Sequence, residues 1–134
     1  VNDLTLICET CNFPVTGDSG SLYVTYADIH THEAAETEWE ERHPAGTAID
    51  ITELLEHPGD IHWRTGHDRC RADRDLDCYE IDDVQICSWP QLARWTAHLM
   101  GKNWFALTDW DDLLRELSGE ARSRRIRVAA KEAA

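Results

Sequence analysis

Two short motifs carry the residue types that hold soft metal ions. Cys8-Glu9-Thr10-Cys11 sets two thiols on one tight turn, and His67-Asp68-Arg69-Cys70 sets an imidazole and a thiol three positions apart. That spacing lets both members of a pair face one ion, on a turn or on the first turn of a helix. Cys8, Cys11, His67 and Cys70 together form a Cys3His set, the type and number of donors in a closed tetrahedral zinc site. Such a site keeps no position open for an activated water, so it predicts a zinc that replaces missing core in a small domain rather than one that catalyses.

Other arrangements compete with this one. Cys8 and Cys11 could be ordinary half-buried thiols and His67 a surface histidine, and more than fifty residues separate the two pairs, a longer gap than compact zinc fingers use. Cys78 or Cys87 could replace His67 as fourth ligand, although neither stands at chelating distance from another cysteine, and the two could approach each other across a hairpin as a disulfide. Five cysteines, an odd count, argue against a closed framework of bridges. Among the other histidines, His30 and His32 or His62 and His67 could pair on a second ion, coincidences that seven histidines make easy. A nuclease would need a histidine base beside an open metal site. His98 is a poor candidate for that base, because Arg94, His98 and Lys102 recur four apart as one exposed basic stripe. There is no glycine-rich phosphate loop and no Gly-x-Ser-x-Gly elbow.

Charge narrows the partners. The 134 residues sum to −13, and the imbalance is local: residues 1–117 hold 24 acidic and 8 basic side chains, residues 118–134 hold 2 and 5. An acidic body repels phosphate backbones and suits a basic protein surface, so only the tail offers nucleic acid a handle. No apolar run approaches the roughly 20 residues that cross a bilayer. The stretch Val1–Cys11 lacks a basic region leading into an apolar one, and a cytoplasmic location is expected.

The elements that must position the motifs follow from pattern. Leu4–Ile7 reads as a strand delivering the first cysteine, and Ser21–Tyr26 as a second strand completing a hairpin with it after the turn formers of 12–20. Residues 28–43 favour a solvated helix anchored by Trp39, with a short helical turn near 49–55 and a strand near 60–64. Tyr79–Ile81 and Val84–Ile86 suggest two strand pieces about Asp82-Asp83. Ser88 as cap, Pro90 in the first turn and Gly101 as stop define the strongest helix, whose stripes Trp89/Leu92/Trp95/Leu99 and Ala93/Ala97/Met100 predict a central, largely buried element. Thr108 caps a second helix with Trp110, Leu113, Leu114 and Leu117 inward, and a frayed basic helix is expected beyond Gly119. The fold class is therefore α+β: a zinc-knuckle and β-hairpin N-terminal half packed on a helical C-terminal half, residues 1–117 as one domain and 118–134 as a basic tail.

Six tryptophans are many for this length. Trp89, Trp95, Trp104 and Trp110 have core spacing, whereas Trp39 sits in an acidic segment and either packs its own helix or anchors a partner.

The combination of Cys8-x-x-Cys11, Tyr26-Ala27-Asp28-Ile29, Trp63 ahead of His67-x-x-Cys70, Tyr79-x-Ile81 and the run Trp95–Lys102 followed by Trp104 and Thr108-Asp109-Trp110 resembles uncharacterised small CxxC…HxxC zinc-binding proteins of actinobacteria and their phages. Eleven arginines against two lysines agree with a high-GC genome. The resemblance implies a small cytoplasmic zinc protein, often phage-borne, and no activity. The expected function is a zinc-stabilised binding module that contacts a host or phage protein, with Trp39, Glu40 and Glu41 on the acidic helix and Arg122, Arg124, Arg125 and Arg127 in the tail as candidate contacts. The alternative is a nucleic-acid-associated regulator that uses the same tail arginines, with Arg64, Arg69, Arg71 and Arg74 near the second motif.

Overall fold

The computed structural model describes residues 3–73, 75–119 and 125–129. Among these the chain forms two three-stranded antiparallel sheets and four α-helices, an α+β fold. Strand β1 (Leu4–Ile7) runs into Cys8, turns, and returns as β2 (Pro14–Val15) with Leu6 opposite Val15. The hairpin partner is thus β2 rather than the expected Ser21–Tyr26, because the cysteine turn closes early: the Cys8 N–H donates to Phe13 O at 3.0 Å and the Asn12 N–H to Cys8 O at 2.8 Å. Asn12 takes the left-handed conformation this needs (φ 64°), which asparagine tolerates better than most residues.

The second sheet is built on β3 (Gly20–Thr25), which lies between β4 (Arg64–His67) and β5 (Cys78–Asp82). All six residues of β3 are buried, making it the central element of the molecule. Helix α1 (Tyr26–Arg42) follows it directly, started by Thr25, whose hydroxyl accepts the Asp28 N–H at 3.2 Å; only Ile29 of this helix is buried, as its thin apolar stripe predicts. Helix α2 (Ile51–Leu55) is capped by Asp50. The strand expected at 60–64 lies later, at Arg64–His67, and Ile61 makes only an isolated bridge to Thr108. Beyond β5 the expected Val84–Ile86 strand is a 3-10 turn, Asp83–Gln85, closed by a capping box between Asp82 and Gln85.

Helix α3 (Trp89–Leu99) starts at Ser88 as expected, but it is a surface helix. Leu92 and Leu99 are buried and Trp95 half-buried, while Trp89 and Met100 are 45% and 69% exposed, and Ala93 and Ala97 of the second apolar stripe are exposed as well. Helix α4 (Trp110–Ser118) begins one residue later than expected, since Thr108 uses its hydroxyl on Phe105 O to close the preceding turn. It ends at Gly119 with φ 85°. Residues Ile126–Val128 form a strand, β6, on the free edge of β1 with Leu6 opposite Ile126, where a frayed helix was expected.

The core joins Leu4, Leu6, Val15 and Ile126 of the first sheet to Leu22, Val24 and Ile81 of the second and to Leu92, Leu99, Trp110 and Leu113 of the helices. Trp63, at 0% exposure, is its aromatic centre, with ring centroids 5.1 Å from Trp110, 6.0 Å from Trp104 and 6.4 Å from Tyr79. No helix among the described residues is long and apolar enough to cross a membrane.

Candidate metal centre

The two motifs meet where the sheets join. The β1–β2 turn supplies Cys8 and Cys11, the end of β4 supplies His67, and the 3-10 turn Asp68–Cys70 that follows supplies Cys70. One ligand atom from each of the four lies within 4.8 Å of every other. Tetrahedral zinc with Zn–S bonds of about 2.3 Å sets its donors about 3.7 Å apart, so these four need to close by about 1 Å at most. The residues could hold a metal ion, and Cys8 and His67 are buried while Cys11 and Cys70 are half-buried.

The histidine is oriented for ligation. Its Nε2 lies 3.0 Å from Pro14 O, a carbonyl that can only accept, so Nε2 carries the hydrogen and Nδ1 presents a lone pair. Nδ1 is 3.3 Å from Cys11 Sγ and 3.9 Å from Cys70 Sγ. Burial pushes the Cys8 thiol up, but N–H groups of Cys11, His67 and Thr10 directed at the sulfur and the His67 side chain outweigh it and bring the thiol down to about 6, toward the thiolate a metal needs. Cys70 is pushed up, by burial and by the neighbouring Cys8 and Cys11 sulfurs. Thiolates brought this close repel one another unless a cation neutralises them.

Gly20 makes the convergence possible, a role its place in a turn-rich stretch did not reveal. It pairs with His67 across β3 and β4, and a Cβ there would stand 2.2 Å from Gly66 O, 2.7 Å from Val15 Cγ1 and 2.8 Å from His67 Cα. Only glycine lets β2 and β4 approach so closely at this point.

The remaining candidates are dispersed. Cys78 lies outside the cluster, its sulfur accepting from Arg71 Nη2 at 3.1 Å beside Glu80, and Cys87 contacts Gln91 Oε1 at 3.3 Å. All five cysteines are free, so no disulfide joins Cys78 to Cys87. His30 and His32 fall on α1, with the His32 ring bonded to Asp28 O. His62 turns from His67 toward Glu9 and Asp109. The other convergence of potential ligands among the described residues is the exposed trio Asp60, Asp111 and Asp112, where Arg115 bonds Asp111 at 2.8 Å and Asp112 at 3.1 Å.

Of the expected partner contacts, Glu40 and Glu41 are exposed on α1, whereas Trp39 is half-buried, stacked on His43 at 4.4 Å with the His57 ring edge-on at 4.6 Å. Arg122 and Arg124, with Arg74, lie outside the described residues. Arg127 is exposed on β6. Arg125 is not a free tail cation: its guanidinium is buried, donating to Glu116 Oε2 at 2.9 Å, Asp109 Oδ2 at 2.9 Å and Trp63 O at 3.0 Å. The carboxylates of Asp109 and Glu116 draw it inward, a long-range pairing that the local basic composition concealed.

Compared with known proteins, the chain matches no family model, no curated protein and no solved structure.

Proposed function

We propose that this protein is a zinc-stabilised binding module that contacts a basic protein surface. Three thiols and an imidazole are the soft and borderline donors that suit zinc, and four protein ligands fill its tetrahedron, the pattern of a structural ion. Zinc would tie the β1–β2 turn of one small sheet to the end of β4 in the other, coupling folding to metal uptake.

The observation that carries the binding role is a groove between α3 and α4. Thr96 of α3, Met100 just beyond its end, Phe105 and Leu114 of α4 line an open depression of about 270 Å³, with the largely buried Trp110 beneath them. The Trp110 indole N–H donates to Thr96 Oγ1 at 3.0 Å and ties α4 to α3. An apolar depression between two helices is a place where a third, amphipathic helix can pack. Asp111 lies on the rim, with Asp60 and Asp112 beside it. Burial raises Asp60 above the usual carboxylate range, and the charges of Asp111, Asp109 and Asp112 add to the rise. An apolar groove with that rim favours an amphipathic, basic segment.

Affinity capture with the zinc-loaded protein, with and without nuclease treatment, tests the proposal. One stoichiometric protein that survives nuclease and is lost with the double variant Met100→Glu/Leu114→Glu is the expected result. Retained nucleic acid, unaffected by that variant, would move the assignment to the nucleic-acid regulator.

A further inference from the structure

Glu9 stands between the two cysteines of the knuckle, yet its side chain leaves the metal cluster and binds β4. Its Oε1 accepts the Thr65 N–H at 2.9 Å, its own N–H donates to Thr65 O at 3.1 Å, and the Thr65 hydroxyl bonds Ile7 O. Thr65 is two residues before His67, so these bonds clamp the turn carrying one ligand pair to the strand carrying the other. The second carboxylate oxygen, Oε2, accepts from His62 Nε2 at 3.0 Å, and His62 Nδ1 donates to Asp109 Oδ2 at 2.8 Å. The same Asp109 oxygen receives Arg125, while Oδ1 takes the Trp63 N–H at 2.8 Å. Arg125, one residue before β6, also pairs with Glu116 at 2.7 Å and donates its backbone N–H to Glu116 Oε1 at 3.2 Å. The series Glu9, His62, Asp109, Arg125, Glu116 thus alternates acid and base without a gap, from the metal knuckle to the edge strand at the other end of the chain. Asp109, Arg125 and Glu116 are buried, where breaking one link strands a charge away from water.

We infer that this relay is the outer shell of the metal centre and couples metal affinity to the docking of β6, with His62 as its central positioning residue. The coupling rests on Cys8, Cys11, His67 and Cys70 holding zinc. The argument is geometric. The two ligand pairs are far apart in sequence, and a metal binds tightly only if the protein holds them at the right separation before the ion arrives. Glu9 supplies part of that hold, and its orientation is fixed by His62, itself fixed by Asp109 and Arg125. Partners bonded directly to a ligand alter metal affinity by roughly 10–100-fold when removed, and His62, acting one step further out through Glu9 and β4, belongs at the lower end of that range. Coupling between two equilibria is reciprocal, so a relay that strengthens zinc binding also lets zinc strengthen the attachment of β6.

Zinc affinity measured by competition with a chromophoric chelator at pH 7.4 tests this on three proteins: the wild type, His62→Ala, and Trp39→Ala as a destabilising change on α1, away from the relay and the shared core. His62 is half-exposed, so its variant retains the core. His62→Ala is expected to weaken zinc at least tenfold, and Trp39→Ala to lower the melting temperature while changing affinity less than twofold. In the zinc-loaded proteins, hydrogen exchange at the amides of 126–129 should quicken in His62→Ala while amides of β3 keep their protection. Affinity within twofold of wild type in His62→Ala, or exchange that quickens equally in β3 and β6, overturns the coupling. A wild type that takes up no zinc overturns the metal centre itself, and the chelator assay separates these outcomes.

Discussion

The junction of the two sheets and the arm formed by α1 and α2 are stabilised by different means. At the junction, groups from four separate stretches of chain meet through buried and half-buried polar contacts: the Cys3His set, Thr65 on Ile7 O, and Arg125 between Asp109 and Glu116. The arm is held locally. Thr25 and Asp50 cap its helices, Trp39 lies between two histidine rings, and Ile51, Leu54 and Leu55 stay exposed. Under the proposed reading, order at the junction is cooperative and depends on the ion, whereas order in the arm is nearly additive. The difference implies that damage at the junction propagates and damage in the arm does not.

The largest effect that would break this comparison is loss of a ligand. Cys8→Ser or Cys70→Ser should abolish stoichiometric zinc binding and cooperative unfolding, because structural zinc contributes about 10–16 kcal/mol of binding free energy in small zinc-dependent folds. Cys78→Ser should leave one zinc per chain by metal analysis; loss of the ion there would mean that the ligand set is wrong. Trp63→Ala comes next. Emptying the aromatic centre should cost about 3–5 kcal/mol in urea unfolding, and the indole N–H, buried without a partner, offsets little of that. A loss below 1 kcal/mol would contradict its place at the centre of the core.

Gly20→Ala sharpens the comparison at the junction by adding one methyl group. Because the contacts it meets include the backbone of Gly66 and His67, relief requires a strand to move, and the cost should be about 1–3 kcal/mol together with weaker zinc binding. In the arm, Trp39→Ala should cost about 1–2 kcal/mol and leave zinc affinity unchanged, since the ring is half-buried and its ring partners are His43 and His57. If Trp39→Ala weakened zinc as strongly as Gly20→Ala, the two regions would not be independent.

What could be read from the sequence divides along the same line. Cys8/Cys11 and His67/Cys70 were legible as potential ligands because each pair is local, and the structure brings the two pairs together. The Ser88 cap of α3 and the strands Leu4–Ile7 and Tyr79–Ile81 were legible for the same reason, whereas the caps Thr25 of α1 and Asp50 of α2 were not read. The hidden features are long-range. Gly-Ser-Leu-Tyr-Val-Thr of β3 has strand character, but nothing in it shows that β4 and β5, rather than β1, lie beside it. Arg125 looked like a tail cation because its partners at 109 and 116 come from another element. Trp95 had better core spacing than Trp63, yet Trp95 is half-buried, with its N–H donating to Gln85 O, and Trp63 is enclosed from three sides.

The smallest effect concerns the charge on His62. Both ring nitrogens face carboxylates, which only accept, so the ring is an imidazolium; Asp109 first and Glu9 second raise it to about 9 against an outward pull from burial. A histidine with an ordinary value near 6.5 in the unfolded chain and about 9 in the folded one stabilises fully below about pH 6.5, and the contribution fades as pH rises through 9. Asp109 and Glu9 act in the opposite sense. Burial raises both, but the His62 hydrogen bond and backbone N–H donors lower them further, so their contribution holds above the usual carboxylate range and is lost in acid. Acid removes the Asp109 and Glu9 contributions as well, so only the alkaline limb isolates His62. Its side chain is 49% exposed, and solvent screening limits the effect to about 1 kcal/mol. The difference in urea stability between the zinc-loaded wild type and His62→Gln should therefore be greatest near pH 6 and shrink by pH 10. A difference that stays constant, or grows, over that range would show that the bonds of His62 to Glu9 and Asp109 do not depend on its charge.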